Sequence, residues 1–135
     1  THAINPTEED PVKTIMDITS GGTDYAFEVV GSTSLIEQAF STIKRGGKTV
    51  IGGGPPTNSK ITIDASTLLV DKSIMGSYHG NANPRIDFLW MLDLYHSGKL
   101  KLDELITGYR PLNQVNEAFE DLIAGRSIRT ILTFD

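Results

Sequence analysis

Gly21-Gly22-Thr23-Asp24-Tyr25-Ala26-Phe27-Glu28-Val29-Val30-Gly31, with Ser32-Thr33-Ser34 behind it, is the segment that decides how this chain is read. Two glycines open it, an apolar run with one embedded acid fills it, and a third glycine hands it to a helical pattern. The segment reads as turn, buried strand over Tyr25–Val30, turn and helix. A strand that passes through glycine into a helix is where open α/β sheets place their ligands, at the carboxyl ends of the strands. Val29 to Ser32 is therefore the first candidate for a ligand-facing edge. Asp24 and Glu28 stand four apart, on one face of the strand but too distant to couple directly. Glu28, set in an apolar strand, is expected to accept hydrogen bonds from the backbone or from neighbouring side chains.

Working outward, the chain upstream ends a short apolar pair, Ala3-Ile4, at Asn5-Pro6. Ala3-Ile4 is read as the tail of a strand. Thr7 with Asp10 resembles a capping box, and Val12, Ile15, Met16 and Ile18 give a helical stripe that stops at Gly21-Gly22. Downstream, Ser32 or Ser34 caps a helix carrying Leu35, Ile36, Ala39, Phe40 and Ile43 on one face. Lys44 and Arg45 suit its negative C-terminal end, and Gly46-Gly47 stops it. Lys48–Ile51 is a short buried strand closed by Gly52-Gly53-Gly54-Pro55-Pro56. Runs that do not alternate favour a parallel sheet covered on both faces.

Further on, Ile61-Thr62-Ile63 alternates as a small edge strand, and Asp64 caps a short helix through Val70. Ser73–Tyr78 reads as another strand. Asn83-Pro84 starts an amphipathic helix with Ile86, Leu89 and Trp90, ending at Ser97-Gly98. Leu105–Thr107 reads as a strand, Asn113 as the cap of a helix through Ile123, and Ile128–Phe134 as a final strand. Residues 1–80 and 81–135 are read as two parts of unlike character.

The 135 residues suffice for one domain, and the net charge of −5 argues against nucleic acid or an anionic membrane as partner. The absence of cysteine excludes disulfides and thiolate metal sites. His2, His79 and His96 form no metal set by spacing. No apolar run reaches membrane-spanning length, and the N-terminus has no signal-peptide pattern. Thr1 stands where an initiator methionine would, so the chain is expected to be processed or cut from a longer one.

Three blocks carry a family resemblance. Gly21–Gly31 is similar to the fourth Rossmann strand of zinc-containing medium-chain alcohol dehydrogenases. Gly46-Gly47-Lys48-Thr49-Val50-Ile51-Gly52-Gly53-Gly54-Pro55-Pro56 is similar to their fifth strand and turn, and Gly125–Phe134 resembles their C-terminus. The resemblance covers essentially the whole chain. It implies an α/β fold: a partial NAD(P)-binding Rossmann fold with a mainly parallel sheet, its first two strands missing. Residues 1–80 would be the second half of the dinucleotide-binding domain, and 81–135 a C-terminal helix-strand-helix-strand segment. The dinucleotide fingerprint and the zinc ligands of that family fall upstream of this chain.

The resemblance also assigns roles. Val29, Val30 and Ser32 would face the cofactor, although strand valines more often serve a core and Ser32 equally suits a helix cap. Gly52, Gly53 and Gly54, with backbone around Ser77 and His79, would meet the nicotinamide carboxamide. Three consecutive glycines exceed what a turn needs. The family often carries larger residues at positions 52 and 54. Tyr78 would line the substrate pocket. Arg129 would pair with the pyrophosphate, since a guanidinium fork suits two phosphates; by periodicity alone it is an exposed arginine on an edge strand.

Two functions follow as expectations. In the first, the chain is part of an enzyme that passes hydride between an alcohol or aldehyde and NAD or NADP, with zinc in the parent only. This chain alone would then be inactive and would bind cofactor weakly or not at all. In the second it is a structural or dimerising module; a fragment of a zinc-independent reductase is a further alternative. Self-association through the Lys72–Tyr78 strand or an open sheet edge, as a dimer or higher, and a cytoplasmic location complete the expectations.

Overall fold

The structure is a computed structural model and describes residues 1–134. The chain forms two compact units, Thr1–Asn81 and Ala82–Asp135. In the first, α1 (Pro11–Thr19) leads to β1 (Thr23–Glu28), α2 (Thr33–Thr42), β2 (Ile43–Ile51), a 3-10 turn (Ala65–Val70) and β3 (Ser73–Gly76). The strands pair in the order β1-β2-β3, all parallel. Glu28 stands opposite Ile51, and Ile51 opposite Gly76, so the three carboxyl ends finish level. Level ends, with the crossover α2 between β1 and β2, put the turns after all three strands on one rim.

The core of this unit lies between α2 and the sheet. Ile36 and Phe40 reach it from α2 and Ile43 from the start of β2, all nearly inaccessible to water. Their burial stabilises the unit by roughly 2 kcal/mol per side chain. The 3-10 turn is held by Asp64, whose carboxylate accepts the Ser66 amide at 2.9 Å. Hydrogen bonding from Ser66, its side chain first and its amide second, holds the Asp64 carboxyl below its usual titration range.

The second unit contains α3 (Pro84–His96), β4 (Gly108–Pro111), α4 (Val115–Ile123) and β5 (Thr130–Thr133), with β4 and β5 paired in parallel. Arg110 of β4 and Arg126, beyond α4, both pair with Asp121 of α4. The two hydrogen bonds, from Arg126 first and Arg110 second, hold the Asp121 carboxyl below its usual value. No helix among the described residues is long and apolar enough to cross a membrane.

Several boundaries differ from the sequence reading, each for a local reason. The first helix is capped by Asp10, not Thr7; Asp10 Oδ1 accepts the amides of Val12 and Lys13 at 2.9 and 3.2 Å. Ala3-Ile4 and Ile61–Ile63 are not in strands. Lys44 and Arg45 do not end α2, because Ile43 already pairs with Thr23 and opens β2. Lys44 instead reaches Asp24 on the neighbouring strand at 2.7 Å. The strand expected at Leu105–Thr107 lies at Gly108–Pro111, where register with Thr130–Thr133 sets it. Asn113 sits inside a 3-10 turn and α4 starts after it. α3 buries none of its apolar residues: Ile86, Phe88, Leu89, Trp90 and Leu92 are all exposed.

Candidate functional site

Glu28, the last residue of β1, organises the rim. Its side chain is 4% exposed, and Oε1 accepts the amides of Val30, Gly31 and Ser32 at 2.9, 2.7 and 3.3 Å. Its main-chain carbonyl accepts the amides of Gly52 and Gly53 at 2.7 and 3.0 Å. Five N–H donors from two turns therefore converge on one residue. The sequence reading of Glu28 as a hydrogen-bond acceptor is what the geometry displays, yet it is missing from the candidate site residues. Its signal was an acid in an otherwise apolar strand, three residues before a glycine.

The same carboxylate ends β1 two residues early. By folding back onto the next three amides it draws Val29 and Val30 out of the sheet, and their side chains are 73% and 71% exposed. The core role considered for these valines is thus not the one they take. Gly31 has φ +91, and a Cβ there would sit 2.7 Å from the Gly54 carbonyl carbon. Gly53 is tighter still: its Cβ would fall 2.1 Å from the Gly31 nitrogen. The turns after β1 and β2 are packed backbone to backbone, which only glycine permits.

Ser32 occupies the N-cap position of α2 without capping it through its side chain. Its hydroxyl lies 2.9 Å from the Ser34 hydroxyl.

Gly52, Gly53 and Gly54 line a groove of about 760 Å³ together with Ser77, Tyr78 and His79. Six sequence-selected residues are thus brought together at the ends of β2 and β3. Tyr78 is 83% exposed, its ring meeting the His79 ring edge-on at 4.2 Å. His79, Gly80 and Asn81 carry positive φ in succession, at 50, 67 and 52°. Left-handed backbone at His79 and Asn81 is strained, and such strain gathers at ligand-contacting segments. Three amides offered to a carboxamide are already committed: those of Gly52 and Gly53 to Glu28, and that of Ser77 to the Ile51 carbonyl at 2.8 Å. Polar contact to a ligand must use other rim groups, among them the carbonyls of these turns, each with lone pairs to share.

Val29 and Val30 line a second groove, of about 360 Å³, against Tyr25, Phe27 and Leu35. Arg129 belongs to the second unit. It is exposed, precedes β5, and its main chain is tied to Thr107, whose hydroxyl accepts the Arg129 amide at 3.2 Å. Its guanidinium forms no ion pair among the described residues.

The donor set does not fit zinc. The sequence has no cysteine, and no group of three or more His, Asp or Glu among the described residues is placed to hold a metal.

Comparison with known proteins identifies the family. The zinc-binding dehydrogenase family matches residues 1–97. Alcohol dehydrogenase-like 5 of Arabidopsis thaliana is 37% identical over 119 residues, covering 87% of this chain and 31% of that protein. Alcohol dehydrogenase 1 of Pisum sativum is 32% identical over 135 residues, covering 98% of this chain and 36% of that protein. The solved benzyl alcohol dehydrogenase of Acinetobacter calcoaceticus superposes with a TM-score of 0.92 at 29% identity, covering 100% of this chain and 37% of that one. The chain spans about a third of the length of the relatives it matches. With its parallel α/β fold and its match over most of the sequence, the chain belongs to the zinc-binding dehydrogenase family.

Proposed function

We infer that this chain supplies the nicotinamide-side wall of an alcohol dehydrogenase, in which hydride passes between an alcohol and NAD or NADP. The observation that carries this reading is the groove at the ends of β2 and β3, floored by Gly52–Gly54 and walled by Ser77–His79. Bare backbone allows a flat ring to approach closely, and the Glu28-held turn beside it keeps that backbone in place. NAD or NADP would supply the hydride acceptor. The role of these residues is to seat and orient its ring. Arg129, with no ion pair among the described residues, is suited to a phosphate.

Residues 1–134 offer zinc no ligand set, so the chain by itself should not oxidise alcohols. A purified sample given zinc, NAD and ethanol is expected to show no reduced cofactor; zinc-dependent turnover would overturn that part of the reading. The wall itself is tested by titrating ¹⁵N-labelled chain with nicotinamide mononucleotide. Amide shifts are expected at Gly52–Gly54 and Ser77–His79. Shifts confined to other surfaces, or none at all, would contradict it.

A specific observation favours self-association as well. Both β1 and β3 are edges of the sheet, and Met75 of β3 and Tyr25 and Phe27 of β1 are exposed. Open apolar edges are templates for pairing with a second copy. β3, within the Lys72–Tyr78 segment, is the proposed dimer strand. Sedimentation at micromolar concentration is expected to show a dimer or larger species, and a clean monomer would refute this.

A further inference from the structure

The second unit contains a polar cavity of about 250 Å³ beside the Asp121 ion pairs. Its walls include Tyr109 and Arg110 of β4, Gln114, Asp121 of α4, and Arg126 with Ser127 in the segment between α4 and β5. Two guanidinium charges meet one carboxylate there, and Asp121 is the only acid among the lining residues. One positive charge is left over after pairing. Each arginine also keeps donors in reserve, since a guanidinium has five N–H groups. Arg110 spends two of them, on Gln114 and Asp121, and Arg126 spends two, both on Asp121. Gln114 gives its side-chain oxygen to Arg110 at 3.1 Å, which leaves its NH2 as a donor.

Ser127 adds a feature that a plain ion-pair cluster lacks. Its hydroxyl oxygen is shielded from solvent and has no hydrogen-bond partner among the described residues. The Thr107 hydroxyl, on the same cavity, is by contrast fully engaged with the main chain of Ile128 and Arg129. Buried hydroxyls are as a rule bonded, and an exception points to an acceptor that the fold itself does not provide. Guanidinium, amide NH2 and hydroxyl are all donors, so the matching ligand accepts hydrogen bonds and carries negative charge. It is also small: about 250 Å³ lies below the roughly 300 Å³ at which pockets begin to enclose drug-sized molecules. A tetrahedral oxyanion offers oxygens in several directions, as donors placed on separate elements require, and arginine suits it.

We propose that this cavity is a binding site for inorganic phosphate, held by Arg110 and Arg126 with Ser127 and Gln114 donating to it. Arg129 does not line the cavity, so the site is separate from the one given to that residue and does not rest on the nicotinamide reading. Phosphate bound there would tie β4, α4 and the segment before β5 together and stabilise the second unit by linkage.

The test titrates the full ¹⁵N-labelled chain with sodium phosphate, with ionic strength held constant by sodium chloride. Saturable shifts are expected at the amides of Arg110, Arg126 and Ser127, half-complete at on the order of 1 mM phosphate. Acetate, with two oxygens in one plane, should need about tenfold more. Arg126→Ala should weaken phosphate about tenfold and Ser127→Ala about threefold, the scale of a charge-assisted and of a neutral hydrogen bond. Arg129→Ala should leave the titration unchanged. Shifts that rise without saturating, an equal response to acetate, or unaltered affinity in both Arg126→Ala and Ser127→Ala overturn the proposal. Loss of the response in Arg129→Ala overturns it too, by giving the phosphate to the residue suited to the cofactor.

Discussion

Two carboxylates each hold several donors, and the two regions they hold differ in kind. Glu28 is buried at the end of β1 and takes backbone amides. Asp121 lies on α4 near the surface of the second unit and takes arginine side chains. A side-chain clasp ties a helix to its neighbours but lets the partners move, because long side chains adapt. A backbone clasp fixes the path of the chain itself. The turn that needs positional accuracy, next to the groove, has the backbone clasp. The lesson is that a buried acid bonded to amides marks a place where main-chain geometry matters.

Removing each clasp separates the two cases. Glu28→Ala strands three part-buried amides and leaves a void where a buried side chain stood, and should destabilise the first unit by about 2–4 kcal/mol in urea titration. A loss under about 1 kcal/mol would equate Glu28 with a surface acid. Gly53→Ala comes next, since its methyl has no room against Gly31; a loss of about 1–3 kcal/mol is expected.

Asp121 should reveal itself through pH. Its folded-state pKa lies below the ordinary 3.8, so its contribution is complete above that value and fades as pH falls through the lower folded one. Asp121→Asn should therefore lower Tm near neutral pH, and the gap to wild type should close in acid. A gap independent of pH would show that the arginines do not favour the ionised form. The smallest effect is expected at Arg126→Ala, because that side chain is 61% exposed whereas Arg110 is 34% exposed. If Arg110→Ala proves the milder change in thermal unfolding, the ranking by burial fails.

Much of this was legible in the residues. The order of strands and helices follows from glycine punctuation and apolar runs, and Asp64 and Asn83 cap where their spacing placed them. Glu28 could be recognised as an acceptor because an acid in an apolar strand has few other ways to be buried. What failed depends on distant partners. Val29 and Val30 look like strand from composition, but the Glu28 carboxylate bends the chain away before them. Lys44 looks like a helix end until pairing between Thr23 and Ile43 is known. The unequal demands on Gly52, Gly53 and Gly54 emerge only from what each faces.

The central claim is that Glu28 holds both turns of the rim in one rigid piece, and amide hydrogen exchange tests it directly. In wild-type chain the amides of Val30, Gly31, Ser32, Gly52 and Gly53 should exchange slowly and with a common free energy, close to that of unfolding the first unit. Exchange of the Val30–Ser32 amides at the rate of an open loop, while β1 and β2 remain protected, would contradict it.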